Sequence, residues 1–302
     1  MATPIPTVTA GDRPAPAAAA PAGPPTRRRI RFRPGVRHGF LLLAAFVWLL
    51  PVLWMVSMAL TPNDVQQREP VGLLPDGLTW SNFADVFQLG LMLRWFGNSV
   101  VVTTAATVLT VAVCAMAGYA FAKLRFTGRR LLFAVVIAGL MVPREAMFVP
   151  LFLMFSDTGQ QNTYQALFLP RVAFPLGVFI MTQFFSRVPD EYEEAARVDG
   201  AGPLRVFWSI MLPLARPAMA SLAIFTFVLT WNDYLWPLVI ATEQEMFTVT
   251  TGLASLQSNF AAATEIGSLM ARGLIGSLPL VVLFLLFQRQ LIRGITLGSG
   301  EK

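Results

Sequence analysis

Long apolar stretches, rather than alternation of apolar and polar residues, dominate this chain. The first, "FLLLAAFVWLLPVLWMVSMAL" at Phe40–Leu60, runs 21 residues without a charge. As a helix it is long enough to cross roughly 30 Å of hydrocarbon. Five more runs follow near Asn98–Ala122, Leu131–Phe155, Tyr164–Phe185, Ala218–Ala241 and Gly273–Phe287. A segment surrounded by lipid must satisfy its backbone internally, so the pattern predicts an all-α polytopic membrane protein with six transmembrane helices. Pro51, Pro143, Pro150, Pro170, Pro175, Pro237 and Pro279 fall in or beside these runs and mark expected kinks or breaks. A cleaved signal peptide competes for the first run, since Ser57-Met58-Ala59 offers small residues at a cleavage-like spacing. The run exceeds the roughly 7–15 residues of a signal core, which favours a retained span.

The polar segments between the runs give an orientation. Residues 1–26 are rich in Ala, Pro and Thr and lack the apolar content to bury a core, so residues 1–37 read as a disordered, basic cytoplasmic tail. Six arginines lie between Arg27 and Arg37, and "KLRFTGRR" after the second run carries four basic residues in eight. Arg187, Arg197, Arg205 and Arg216 follow the fourth run, and Arg289, Arg293 and Lys302 follow the sixth. The opposite loops hold only Arg68, Arg94 and Arg272. This bias places both termini in the cytoplasm. It makes 38–297 the transmembrane domain, 187–217 a cytoplasmic loop between spans four and five, and 298–302 a short cytoplasmic tail.

Composition agrees and narrows the chemistry. The 302 residues are 55% hydrophobic and 13% charged, against about a quarter charged in soluble domains. The net charge of +6 is mostly arginine near membrane ends, so it does not require a nucleic-acid partner. One cysteine, Cys114, and one histidine, His38, leave no disulfide framework, no Cys zinc site and no basis for a Ser-His-Asp triad. The only lysines are Lys123 and Lys302, and neither lies in G-x4-G-K-[ST], so the chain builds no P-loop. Active transport by this chain would draw its energy from another subunit or from an ion gradient. No cofactor or metal is expected.

One polar segment is more structured than a loop requires: "PDEYEEAARVDGAGPLRVFWSIMLPLARPA", Pro189–Ala218. Asp190 can cap a helix whose first turn holds Glu191, Glu193 and Glu194, where acidic residues suit the positive end. Ala195 and Ala196 keep a face slim for close approach, Gly200 suits a helix stop, and Pro203 suits the first turn of a second helix. On these features alone a self-capped, solvated loop helix is also open. The spacing from Glu194-Ala195-Ala196 through Gly200 to Ile210 and Leu212-Pro213 has the form E-A-A-x3-G-x9-I-x-L-P. This resembles the signature loop of the membrane subunits of binding-protein-dependent ABC importers. "MVPREAMFVPLFLMF", "QNTYQALFLPRVAFPLGVFIMTQFF" and "FTFVLTWNDYLWPLVIA" resemble carbohydrate permeases of the maltose and glycerol-phosphate type, in their smaller six-span subunit. The likeness covers about residues 36–297.

That resemblance implies a mechanism. The 189–213 loop would dock into a cytoplasmic ATPase dimer, with Glu193, Glu194, Ala195, Ala196, Asp199, Gly200, Ile210, Leu212 and Pro213 as the coupling residues. The implied partners are a second, homologous permease subunit, the ATPase dimer, an extracytoplasmic sugar-binding protein and the lipid bilayer. The chain itself would be non-catalytic. Trp231, Asn232, Asp233 and Tyr234 in "TWNDYLWP" are the candidate translocation-path residues, because a charge inside a span usually faces an interior or a pathway. Trp236 is a further aromatic that could face a sugar ring. A structural ion pair of Asp233 with Arg171 and an ordinary aromatic belt compete with that reading. In the maltose member the principal sugar site lies largely in the partner permease. Arg144-Glu145 reads more readily as structural than as functional, the two bonding to other segments near the cavity or sitting at the interface, and 248–260, rich in polar residues as any exposed loop would be, resembles the part of the smaller subunit that reaches the binding protein. A membrane-embedded enzyme would need clustered acidic ligands or a reactive His or Cys. An ion-driven secondary transporter would normally show internal repeats and more spans.

Overall fold

The computed structural model describes residues 34–66, 74, 77–88, 90–258 and 265–298, with side chains described only between residues 38 and 288. The tails 1–33 and 299–302, and residues 259–260 of the polar 248–260 segment, lie outside the described residues. The chain divides into two units, residues 1–49 and 50–302. In the first, the described part is the opening stretch of helix α1 (Pro34–Leu60), whose side chains from His38 are almost all exposed.

The second unit holds the rest of α1, followed by α2 (Asn63–Gln66), α3 (Ser81–Gln88) and α4 (Leu91–Lys123). Then come α5 (Arg129–Ala138), α6 (Phe148–Asp157), α7 (Tyr164–Val172), α8 (Pro175–Ser186), α9 (Glu191–Val198) and α10 (Pro203–Val206). A π-helical turn at Phe207–Met211 leads into α11 (Leu212–Leu214) and α12 (Arg216–Trp231); α13 (Leu235–Ile240), α14 (Val249–Ser258) and α15 (Ile266–Gly298) complete the unit. No strand occurs among the described residues. Among the described residues, three helices are long and apolar enough to cross a membrane by themselves, and the number reaches 6 if each bent helix pair is one span.

Two of the bends fall at Pro143 and Pro175, where the sequence marks expected kinks or breaks. The third span is two pieces, Arg129–Met141 and Arg144–Asp157, meeting at 99°. Pro143 has no N–H to continue the ladder and forces Val142 into extended backbone (φ −82°, ψ 117°). The fourth span bends by 45° between α7 and α8, where Phe174 is non-helical just before Pro175. The fifth run does not continue to Ala241. α12 ends at Trp231 and the chain restarts as the short α13, while the segment before it, Pro203–Leu214, meets α12 at 74°.

α4 is the central helix and packs on α7, α8 and α12. Its buried stripe is small: Ser99, Thr103, Thr107, Thr110, Cys114 and Gly118, spaced three or four apart so that they share a face. Small residues let membrane helices approach closely, because lipid tails supply no hydrophobic drive between helices. A Cβ at Gly118 would lie 2.5 Å from Met181 Cβ, and one at Gly177 would lie 2.7 Å from Cys114 Sγ. The α4–α8 contact therefore depends on both glycines, and Cys114 is a fully buried packing residue.

Candidate functional site

The loop after the fourth span folds as two helices around a glycine. α9 ends at Val198, and Gly200 sits at φ +78°. Gly200 N–H donates to Arg197 O at 3.0 Å and Ala201 N–H to Ala196 O at 2.9 Å. That is the two-bond Schellman closure, which needs a left-handed residue in the Gly200 position. Gly202 then leads into Pro203, the first residue of α10.

Asp190 does not cap α9: its side chain makes no cap hydrogen bond. It is drawn instead to Lys123 at the end of α4, which donates to Asp190 Oδ1 and, at 2.6 Å, to Val188 O. The hydrogen bond from Lys123, and then its charge, hold the Asp190 carboxyl below the usual carboxylate range. The Lys123 side chain is only 5% exposed, so the loop is bolted to the central helix by a buried amine. The sequence shows Lys123 merely as one of four basic residues in "KLRFTGRR". Its partner lies 67 residues away, and no local signal marks it.

The glutamates and alanines of α9 divide between two faces. Glu193 is buried and pairs with Arg197 at 3.2 Å, one turn on, while Glu194 is exposed. Ala196 packs inward against the cluster that contains Tyr119, Phe185, Phe207 and Met211, and Ala195 faces outward. The slim face is therefore Ala195 alone, since adjacent helical positions point about 100° apart. Ile210 and Leu212 pack against the same cluster, whereas Asp199 and Pro213 are exposed. A groove of about 680 Å³ runs between α9 and the following helix, lined by Tyr192, Ala195, Asp199, Arg205 and Ile210 among others. Its surroundings expose Val198, Leu204 and Trp208, at 88%, 76% and 61%.

At the far end of α12 the four candidate path residues separate. Trp231 is buried: it stacks on Phe227, meets Phe96 edge-on, and donates to Gly276 O at 3.0 Å. Its indole is covered by these contacts within the chain. Asn232 is exposed and bonds back to Val228 O. Asp233 pairs with Arg171, the two side chains being 11% and 8% exposed. Tyr234 is 37% exposed. Trp236 is buried too, its indole N–H donating to Ala166 O at 2.9 Å. The threonines of 248–251 are also turned inward. Thr248 bonds to Thr250 and Thr251, and Thr250 to Asp233 O, so the polar character of this stretch does not reflect exposure.

The breaks in the third and fourth spans leave a cavity of about 490 Å³, whose wall includes Arg144, Phe148, Arg171, Phe174, Thr230 and Trp236. Arg144 lies in a 3-10 turn directly after Pro143. Among the described residues, no His/Cys/Asp/Glu cluster could hold a metal ion.

Comparison with known proteins gives a consistent answer. Residues 114–297 match the family described as "Binding-protein-dependent transport system inner membrane component". The chain is 37% identical to the arabinooligosaccharides transport system permease protein AraQ of Halalkalibacterium halodurans, over 86% of this chain and 94% of that protein. It is 34% identical to the diacetylchitobiose uptake system permease protein NgcG of Streptomyces coelicolor, covering 87% and 88%. It is also 34% identical to the sn-glycerol-3-phosphate transport system permease protein UgpE of Yersinia enterocolitica, covering 85% and 94%. Among solved structures, a chain of a bacterial ABC transporter involved in import of the acidic polysaccharide alginate superposes with a TM-score of 0.75. That match is at 24% identity and covers 84% of this chain and 95% of that one.

Proposed function

We infer the role of this chain from its family: it belongs to the inner membrane components of binding-protein-dependent transport systems. It is a multi-pass membrane subunit of an importer. The solute is a saccharide or a related polyol, in line with the transport functions of its relatives, and an ATPase in another chain supplies the energy. The observation that carries the reading is the α9–α10 element: a glycine-closed helix pair, tied to the central helix by Lys123 and presenting exposed apolar side chains beside a groove. Val198, Leu204 and Trp208 are exposed in the loop that its arginines assign to the cytoplasm, and such apolar side chains are what a docking surface for another protein requires.

Because Lys123 bonds to the segment that begins α9, the loops 123–130 and 187–217 lie at one end of the bundle. Both are rich in arginine, which supports a cytoplasmic location for that end. Closure of the ATPase dimer on ATP would push the docked loop. Lys123 and the cluster around Tyr119 and Phe207 would carry that displacement into α4 and α12. A second, homologous permease subunit completes the path, and an extracytoplasmic binding protein delivers the solute. The test is to purify the tagged chain with its native subunits, place the complex in vesicles with the binding protein outside, and measure uptake of labelled oligosaccharide. Uptake that needs internal ATP supports the reading; uptake driven by an ion gradient without ATP refutes it.

A further inference from the structure

The 490 Å³ cavity at the breaks of the third and fourth spans is within the size range of small-ligand pockets, about 300–1,000 Å³. Counted from the basic loop, the Arg129–Met141 piece climbs about 20 Å at 1.5 Å per residue, so the cavity lies well inside the bilayer. Two guanidinium groups reach its wall. Arg171 is neutralised by Asp233. Arg144 makes no ion pair or side-chain hydrogen bond among the described residues. Glu145 follows it in sequence, near enough for its charge to act on Arg144 but without an ion pair between them. Thr226 also lines the cavity. It is 5% exposed, and its hydroxyl has no partner among the described residues.

Arg144 is exposed on this chain, and a guanidinium without an ion pair inside a span is ordinarily retained for a pathway. A cavity wall carrying one net positive charge in a low-dielectric setting favours one negative charge within it. A guanidinium matches carboxylate or phosphate oxygens in a bidentate fork. We propose that this cavity is a solute subsite for a saccharide or polyol bearing a carboxylate or phosphate, with Arg144 as the residue that recognises the acid group. This rests on the permease reading and names the substrate class at one position in the path.

The test uses the complex with its native subunits in nanodiscs of zwitterionic phosphatidylcholine, which keeps anionic headgroups away from Arg144. Saturation-transfer NMR compares D-glucuronate, inorganic phosphate and D-glucose. Glucuronate is expected to bind at least about tenfold more tightly than glucose, the effect of one charge-assisted contact. Arg144→Gln should remove that advantage and Arg144→Lys restore part of it. Equal binding of glucose and glucuronate by the wild-type complex, or absence of glucuronate binding, overturns the proposal without any variant. So does an advantage that survives Arg144→Gln. The permease reading is judged separately: if ATP-driven oligosaccharide uptake by the complex is intact while glucuronate ignores Arg144, that reading stands and this one fails.

Discussion

Gly200 and Gly202 form an internal control for the coupling loop. A Cβ at either position meets no heavy atom within 4 Å, so neither substitution to alanine creates a clash. They differ in backbone: Gly200 is at φ +78°, while Gly202 is at φ −73°, ψ 166°, ordinary for any residue. Gly200→Ala should therefore cost about 1–2 kcal/mol, the penalty of the left-handed region for an L-residue, and Gly202→Ala close to nothing. The cost falls on the closure of α9, whose two terminal bonds at 3.0 and 2.9 Å depend on that conformation. Since about 1.4 kcal/mol is a factor of ten, hydrogen exchange at the Gly200-site and Ala201 amides should quicken about tenfold in the first variant only. Gly200→Asn should lie between, because asparagine tolerates the left-handed region. In vesicles the Gly200→Ala complex should retain ATP hydrolysis and lose part of the solute moved per ATP. Equal exchange and equal coupling in the two alanine variants would refute the claim that the closed helix end transmits the stroke.

Gly118→Val should prevent α4 from approaching α8, since its Cβ would already sit 2.8 Å from Met181 C. Helix approach here is backbone to backbone, so the variant should lose the folded species on size-exclusion chromatography, while Gly97→Ala on the same helix, with open space around it, should not. Arg171→Gln leaves the Asp233 carboxylate, 11% exposed, without its partner, and thermal unfolding should show a loss of about 3–5 kcal/mol; adding Asp233→Asn should recover much of it. The Asp190 carboxyl is held down by Lys123, so its contribution to holding the loop is fully present above the ordinary value of 3.8 and lost as pH falls through the lower, folded one. Exchange at Val188–Glu191 should quicken on acidification through that range, and Asp190→Asn should abolish this pH dependence.

The spans were legible in the sequence because lipid demands long charge-free runs, and the loop because Gly200 and Pro203 leave local signatures at helix ends. What the sequence did not carry was geometric. Pro143 and Pro175 mark where a helix must stop, but the 99° and 45° bends are set by packing on α4 and its neighbours. Trp231 and Trp236 read as candidate sugar-facing aromatics because a chain in lipid has apolar residues both on its surface and in its core, and composition does not distinguish them. Local propensity gave Asp190 to the cap of α9. The buried amine of Lys123, distant in sequence, took it, and with that the tie between the loop and the central helix stayed invisible until the chain was folded.

Ala195 faces outward on α9, and Cys114, the chain's one cysteine, is fully buried, so Ala195→Cys places a single accessible thiol on the proposed docking face. The direct measurement is cross-linking of that thiol in the vesicle-reconstituted complex, with no nucleotide and with ATP trapped. A cross-link to the ATPase subunit whose yield changes between the two states is the predicted result. A thiol that instead reacts with a membrane-impermeant maleimide from the outer face of intact cells, and joins no ATPase in either state, would contradict the account.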